Sequence, residues 1–250
     1  MTSLSNFTHS SFLIYQELAK LGPPFFSYNN NGILALRSGI KNPYFNFLLI
    51  KDENTHFWNK AIHFFDCPFE CTFERNNRFF IKICESLGLT FGENTTSMEL
   101  CLETFHLQPA IDQNISIQHV KNEADIRQWI NITALGFRLS KSYIKDFFYP
   151  IFKSHNKKFK FSICFFNQVP STASLFFLDP PYSTIFSLAT RPQFRNQGLA
   201  HKLLTEEFIS IRNKGILNCT VQASSQGNTL YKKLGFQENQ ELSTYILMPI

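Results

Sequence analysis

The sequence lacks several features that would assign the protein to a class at once. No apolar run reaches membrane-spanning length, and the first residues, MTSLSNFTHSS, have neither the charged start nor the apolar core of a secretory signal. The six cysteines show no zinc-ligand spacing. Basic residues form no strong stripe, and the densest group is KKFK at Lys157 to Lys160. These absences predict a cytoplasmic protein with reduced core thiols that binds no nucleic acid, membrane or metal.

The composition is otherwise that of a folded protein. With 250 residues, of which 44% are hydrophobic, the chain can bury one large core or two smaller ones. Phenylalanine is unusually frequent, at 29 residues, and we interpret this excess as core packing. The net charge of +5 is modest and is compatible with an anionic ligand.

The order of apolar patterns predicts a mixed α/β chain in two parts. The first helix is predicted to be capped by Ser10 or Ser11. Residues 103–114 become polar and include a proline, so we interpret them as a linker. The predicted domains are therefore 1–108 and 115–250, and the second should run strand, two helices, three strands, helix, strand, helix and strand.

An internal repeat links the two parts. The segment SLGLTFGENTTSMELCL of the first part resembles KLGFQENQELSTYILMP of the second, each with a helix end, Leu-Gly and an apolar strand. The two parts are therefore predicted to share one fold. In this alignment Cys84 takes the position of Tyr231, and no glycine-containing anion loop precedes it. We infer that the first part has no ligand site of this kind.

The segment LATRPQFRNQGLA, from Leu188 to Ala200, carries the strongest local signal. It predicts a strand end, a turn with Arg195 and Gly198, and the start of a helix. A helix N-terminus presents unpaired N–H groups and a partial positive charge, so it binds anions where small residues allow their approach. Such a spacing arises by chance in roughly one chain in four of this length. Whether the segment is an anion site therefore depends on the elements around it in the sequence.

The segment and the elements around it resemble the GNAT superfamily of acyl-CoA-dependent N-acyltransferases. The RNQGLA loop is followed, about 36 residues after Arg195, by LYKKLGF and a last strand. The resemblance is strongest from Thr184 to Pro249 and extends in element order back to Ile115. The first part, with KNPYFNFLL, resembles the degenerate N-terminal lobe of two-lobed GNAT proteins. The resemblance implies a GNAT fold in two tandem units, each with a mixed, mostly antiparallel sheet flanked by helices.

The resemblance also implies acetyl-CoA as cosubstrate, together with a set of site residues. The strand end would pair with the pantetheine arm, the loop would hold the pyrophosphate, and Tyr231 would protonate the leaving thiolate. Ser224 stands where family members often have an asparagine that contacts the cofactor. The implied cofactor-binding residues are Leu188, Ala189, Thr190, Arg195, Asn196, Gln197, Gly198, Leu199, Ala200 and Ser224.

The chemistry of acyl transfer agrees with this assignment but leaves the base open. The reaction needs a neutral amine, a donor for the developing oxyanion and an acid for the departing sulfur. A tyrosine, with a pKa of about 10, suits the last role. The strand from Thr184 holds no carboxylate. Asp179 and Tyr182 precede it and could approach the site, whereas Glu206 and Glu207 are expected to face solvent or cap charge. A water chain or a low-pKa amine would serve instead.

Two functions follow from this interpretation. The first is transfer of an acetyl group from acetyl-CoA to a primary amine, on a small molecule or a protein, by direct attack. In this case the two lobes of one monomer would replace a dimer. The alternative is a non-catalytic acyl-CoA-binding module whose other lobe binds a protein partner. The missing base and Ser224 favour the alternative, and the tyrosine favours the enzyme.

Overall fold

The computed structural model describes residues 6–30, 33–50, 58–106 and 113–248. The chain divides into two compact units. The first unit comprises the residues up to Ser97, together with 222–228 and the stretch from Glu238 onwards. The second unit comprises residues 98–221 and 229–237.

Helices and strands alternate along the whole described chain. The helices are α1 (Asn6–Ala19), α2 (Trp58–His63), α3 (Arg78–Ser86), α4 (Glu123–Phe137), α5 (Lys141–Lys153), α6 (Leu199–Arg212) and α7 (Ser225–Lys233). The strands are β1 (Phe26–Asn30), β2 (Ile33–Arg37), β3 (Phe47–Ile50), β4 (Phe69–Glu74), β5 (Thr90–Cys101), β6 (Ile115–His119), β7 (Phe159–Phe166), β8 (Val169–Asp179), β9 (Tyr182–Thr190), β10 (Asn218–Ala223) and β11 (Gln237–Leu247).

In the first unit the strand order is β1-β2-β3-β4-β11-β5. The pairs β1–β2, β2–β3 and β4–β11 are antiparallel, whereas β3 and β4 run parallel. Aromatic side chains fill the core: Phe73 stacks on Tyr245 at 5.4 Å between ring centroids, and Phe80 lies at the same distance from Phe73. These contacts support the interpretation of the phenylalanine excess as core packing.

In the second unit the strand order is β10-β9-β8-β7-β6. Strands β6 to β9 form an antiparallel sheet, and β10 pairs parallel with β9. The turn between β7 and β8 uses Asn167 and Gln168, both left-handed with φ of 48° and 64°. This geometry matches the right-handed twist of the hairpin strands. Trp129 of α4 anchors that helix to the sheet, since its Nε1 donates to the Ser174 carbonyl at 2.9 Å.

The predicted repeat is confirmed by the order and direction of the elements. The segments from β2 to β5 and from β8 to β11 have the same order of elements. Each consists of an antiparallel pair, a connecting helix, a parallel strand, a second helix and a long strand. The glycines of the two Leu-Gly pairs, Gly88 and Gly235, both adopt positive φ. The mixed, mostly antiparallel sheets with flanking helices confirm the predicted fold class.

Three details differ from the sequence-based expectation. Helix α1 begins at Asn6, so Ser10 and Ser11 lie inside it and the prediction that they cap it is wrong. The final strand pairs with β4, in a register that begins at Leu242 opposite Glu74, and so groups with the first unit. The compact units therefore do not follow the sequence division at 108 and 115. Part of the predicted linker, 107–112, lies outside the described residues.

Five of the six thiols are buried. All six cysteines are free, and only Cys101 is exposed. Burial raises the pKa of the Cys164 thiol to about 11 and that of Cys219 to about 12. They remain protonated at neutral pH and act as small apolar residues. No helix within the described ranges is long and apolar enough to cross a membrane.

Candidate functional site

Strand β9 pairs on both sides along its first half only. Its parallel register with β10 ends at the pair of Ile185 with Val221. From there β9 continues against β8, as far as the pair of Thr190 with Thr172. Because the second neighbour is lost, backbone groups along this end of β9 can bond to an extended ligand instead. Leu188, Ala189 and Thr190, the strand residues implied by the resemblance, all lie on this part.

The start of α6 packs beside the same end of β9. Leu199 and Leu203 of the helix form a buried cluster with Cys164, and Leu188 packs against that cluster. Leu199 is 1% exposed, so it fixes the first turn of the helix in place. The structure thus brings together the predicted strand end and the predicted anion loop, residues 195–200.

The loop before α6 is exposed and has two left-handed residues. Residues 195–198 are exposed, with φ of 59° at Asn196 and 74° at Gly198. Gly198 is the N-cap of the 14-residue helix and supplies no side-chain hydrogen bond. In α4, by contrast, the Asn122 side chain accepts from the backbone N–H of Ala124 at 2.9 Å. The first N–H groups of α6 are therefore left for solvent or an anion.

Arg195 has a second role that the sequence did not reveal. Its Nη2 donates to the Gly136 carbonyl at 2.6 Å, and its Nε donates to the Thr190 carbonyl at 3.3 Å. The guanidinium thus ties the loop to the last turn of α4 and to the end of β9. The positive charge stays beside the loop, but the side chain also holds the loop in shape.

Gly136 allows α4 to approach the end of β9 closely. A Cβ at this position would lie 2.8 Å from the Ala189 Cβ and 3.2 Å from the Thr190 backbone nitrogen. Since real side chains do not tolerate such contacts, glycine is required here. This close packing fixes the backbone of β9 at the point where its pairing with β10 has ended.

Tyr231 lies in the second unit, on α7, and is 6% exposed. Its ring packs edge-on against Phe236 at 5.4 Å. Burial, and to a smaller extent the nearby Cys219, raises the pKa of the Tyr231 hydroxyl above its usual value. Among the described residues the hydroxyl has no hydrogen-bond partner. It is therefore a protonated group that can donate to a ligand.

Ser224 precedes α7 and caps that helix. Its hydroxyl accepts from the Gly227 N–H at 3.3 Å, and its carbonyl accepts from Gly227 and Asn228 at 3.0 Å. The residue belongs to the first unit. The capping contact accounts for a serine here. Its predicted contact with the cofactor stays a prediction.

The carboxylates considered as bases take two different environments. Glu206 is partly exposed, in agreement with the expectation, and pairs with Lys202 at 2.9 Å. Glu207 is 1% exposed, so the expectation that it faces solvent is wrong. It accepts from Ser162 at 2.7 Å and lies 2.5 Å from the Lys160 Nζ. This buried pair holds α6 on the sheet.

Asp179 and Tyr182 lie at the wrong end of the sheet for the site. They form the last pair of the β8–β9 ladder, at the start of β9, whereas Thr190 ends that strand. Eight residues of extended strand separate their end from the loop by about 26 Å. Asp179 is also paired with Lys158 at 2.8 Å. The expectation that they could approach the cleft is therefore wrong.

Two further polar groups have environments that the sequence does not predict. Ser187, 5% exposed and on the half of β9 beyond the β10 pairing, has a buried hydroxyl without a hydrogen-bond partner. In the first unit, burial and then the charge of Glu93 raise the pKa of Glu70 to about 8. Neither position has a sequence signal, because both depend on neighbours from other strands. Within the described residues no group of three His, Cys, Asp or Glu residues could hold a metal ion.

The comparisons with known proteins agree with this geometry. Residues 162–238 match the family model described as an acetyltransferase (GNAT) domain. No curated protein matches the sequence. A GCN5-related N-acetyltransferase from Kribbella flavida has a similar structure, with a TM-score of 0.69, 11% identity and 94% of each chain covered.

Two further solved structures have the same fold at similarly low identity. A GCN5-related N-acetyltransferase from Sphaerobacter thermophilus gives a TM-score of 0.63 at 13% identity, over 86% of this chain and 76% of the other. A tandem GNAT protein from the clavulanic acid biosynthesis pathway gives 0.58 at 10% identity, over 86% and 78%. At these identities the likeness concerns the fold.

Residues 162–238 thus match a GNAT acetyltransferase domain, and the chain shares its fold with solved GNAT structures. The matched segment contains the end of β9, the anion loop, α6 and Tyr231. The family match over residues 162–238 and the shared fold, which includes that of a tandem GNAT protein, confirm the resemblance drawn from RNQGLA and LYKKLGF. The individual roles of the loop residues and of Tyr231 stay predictions.

Proposed function

We propose that the second unit binds acetyl-CoA and transfers its acetyl group to a primary amine. The observation that carries this proposal is the exposed, uncapped start of α6 beside the half of β9 that β10 does not pair. The first feature suits a pyrophosphate, and the second suits an extended pantetheine chain. Both lie inside the segment that matches the GNAT acetyltransferase domain.

The proposed reaction uses groups that the second unit holds in place. N–H groups at Gly198, Leu199 and Ala200 bind the pyrophosphate, while the backbone of Leu188 and Thr190 aligns the pantetheine. A backbone N–H at this end of β9 stabilises the oxyanion as the amine attacks the thioester carbon. The new C–N bond forms, the C–S bond breaks, and Tyr231 gives its proton to the sulfur. The amine proton leaves to water.

Consumption of acetyl-CoA tests the proposal. The full chain should release free thiol in the presence of at least one member of a panel of amino acids, polyamines, aminoglycosides and peptides. Arg195→Glu should weaken acetyl-CoA binding at least tenfold, since it reverses a charge beside the loop and breaks the contact with Gly136. Arg195→Lys should retain part of the affinity, and the exposed Arg127→Glu should retain all of it.

Acetyl-CoA affinity, by calorimetry, and the melting temperature should be measured on the same preparations. Unchanged acetyl-CoA affinity in Arg195→Glu would contradict the assignment of the loop. Equal losses in Arg127→Glu would show a general effect of charge rather than a binding site. A fall in melting temperature in Arg195→Glu alone is expected to be small, because the guanidinium contacts lie on an exposed loop.

A non-catalytic acyl-CoA-binding module is the second candidate. The absence of a carboxylate from β9 and the helix-capping role of Ser224 favour it. Tight acetyl-CoA binding without thiol release over the whole panel would support this module. Release of thiol in proportion to enzyme and amine would exclude it.

A further inference from the structure

The second unit has a cavity away from the proposed acetyl-CoA site. Its volume is about 400 Å³, and it lies where β6, α5 and α6 end and β7 begins. The cationic and imidazole groups that line it are His119, Lys121, His155, Lys157, Lys160 and Lys214. Helix α6 separates Lys214 from the anion loop by about 20 Å, from its length and the helical rise.

Most of the positive charge around the cavity is not neutralised. Lys160 pairs with Glu207 at 2.5 Å. Among the ion pairs of the described residues, none involves Lys121, Lys157 or Lys214. Three ammonium groups from three different segments therefore share one concave surface. Such an arrangement lowers the energy of an anion placed among them.

Two of the lining side chains, His119 and Lys160, belong to a buried polar network. Ser162, which is fully buried, donates to Glu207 at 2.7 Å and contacts the Nδ1 of His119 at 3.0 Å. Lys160 completes the network through the Ser210 hydroxyl at 2.9 Å. These partners hold the side chains of His119 and Lys160 in place, whereas Lys121, Lys157 and Lys214 are exposed around the cavity.

The remaining wall is apolar. Phe152 and Leu178 are partly buried, and Phe159 is 8% exposed. Apolar walls lower the local dielectric response, so the attraction between an anion and the lysines is stronger here than on an open surface. The shape and charge both suit a compact ligand rather than a long polymer.

We propose that this cavity binds a small anion with at least two negative charges, such as a phosphorylated metabolite or a polycarboxylate, independently of acetyl-CoA. The lysines provide the charge, and His119 in the lining provides a hydrogen-bonding ring. Burial lowers the pKa of His119, opposed by Glu207 and reinforced by the lysines. A bound anion is therefore expected to raise that pKa.

Calorimetric titration of the full chain with inorganic pyrophosphate, and separately with citrate, tests the proposal. Arg195→Glu protein serves as background, so that pyrophosphate bound at the anion loop is removed from the signal. On this background, Lys121→Gln/Lys214→Gln should weaken binding of at least one probe tenfold or more. The matched pair Lys141→Gln/Lys145→Gln removes the same charge from exposed positions of α5 outside the cavity and should leave affinity within about twofold.

Two further readouts locate the bound anion. Acetyl-CoA affinity should be the same in Lys121→Gln/Lys214→Gln as in wild type, whatever the effect of Arg195→Glu on that affinity. Saturation with the tighter probe should raise the pKa of His119 in an NMR titration. Equal losses in the two lysine pairs, no binding of either probe at millimolar concentration, or an unmoved His119 pKa would each overturn the proposal.

Discussion

Replacing Tyr231 by phenylalanine removes one hydroxyl and keeps a buried ring. The ring contact with Phe236 at 5.4 Å is preserved, and the hydroxyl has no hydrogen-bond partner among the described residues. No polar group is left orphaned, so the free energy of unfolding should change by less than about 1 kcal/mol. The predicted loss of activity therefore comes without a loss of fold.

The expected loss in turnover is large because the hydroxyl is the proposed acid. Removing a positioned general acid costs about 10² to 10⁴ in rate, and a hundredfold loss corresponds to about 2.7 kcal/mol in the barrier. Burial raises the pKa of Tyr231, so wild-type activity that needs its proton should persist to more alkaline pH than an exposed tyrosine would allow. The alkaline limb of the profile should be absent from the residual activity of Tyr231→Phe.

The assay is release of CoA thiol at saturating acetyl-CoA, with the best acceptor from the panel. Tyr182→Phe is the matched control, since this tyrosine lies in the same unit at the opposite end of β9. It should turn over at the wild-type rate. Wild-type kcat in Tyr231→Phe would refute the reasoning and assign the residue to packing alone.

The remaining predictions concern stability, measured as urea unfolding of single variants. Glu207→Ala should cost about 3 to 5 kcal/mol, because it leaves a buried lysine without its ion-pair partner. Glu206→Ala, at a partly exposed position, should cost less than about 0.5 kcal/mol, and equal effects would contradict the buried pair. Gly198→Ala should cost about 1 kcal/mol from its φ of 74°, since nothing lies within 4 Å of the added Cβ, and a loss of several kcal/mol would reveal a clash. Burial lowers the folded pKa of His119, so wild type should lose stability as pH falls below about 6.5 towards that lower pKa, and His119→Gln should lose less; identical pH profiles would contradict this.

Local features of the site could be predicted from the sequence. The chain signals a strand, a turn and a helix from Leu188 to Ala200, and the structure has β9, the exposed loop and α6 there. Gly198 occupies the left-handed position that a glycine readily adopts. These features depend on neighbours in sequence, so pattern and propensity suffice to find them.

The burial of Glu207 could have been predicted from the sequence, but the prediction that it faces solvent is wrong. Leu203, Leu204, Phe208 and Ile211 define the buried face of α6, and Glu207 follows Leu203 by one helical turn. Helical spacing therefore places it on that same face. The general preference of glutamate for solvent outweighed the periodicity, because its partner Lys160 lies on a different strand and leaves no local trace.

Long-range contacts could not be predicted from local patterns. The bond from Arg195 to Gly136 joins residues 59 positions apart, and its only sequence trace is a glycine in a helix. Likewise, the apolar pattern of β11 predicts a strand without naming β4 as its partner. Register and partner choice depend on the whole packing arrangement, which one sequence does not display.

The most direct test of the account is the stoichiometry of acetyl-CoA binding to the full chain by isothermal titration calorimetry. In the second unit, Gly198 precedes α6, the helix that joins its parallel strands. The corresponding segment of the first unit, residues 51–57 before α2, contains no glycine. We expect about one acetyl-CoA to bind per chain. No binding, or two equivalent sites per chain, would contradict it.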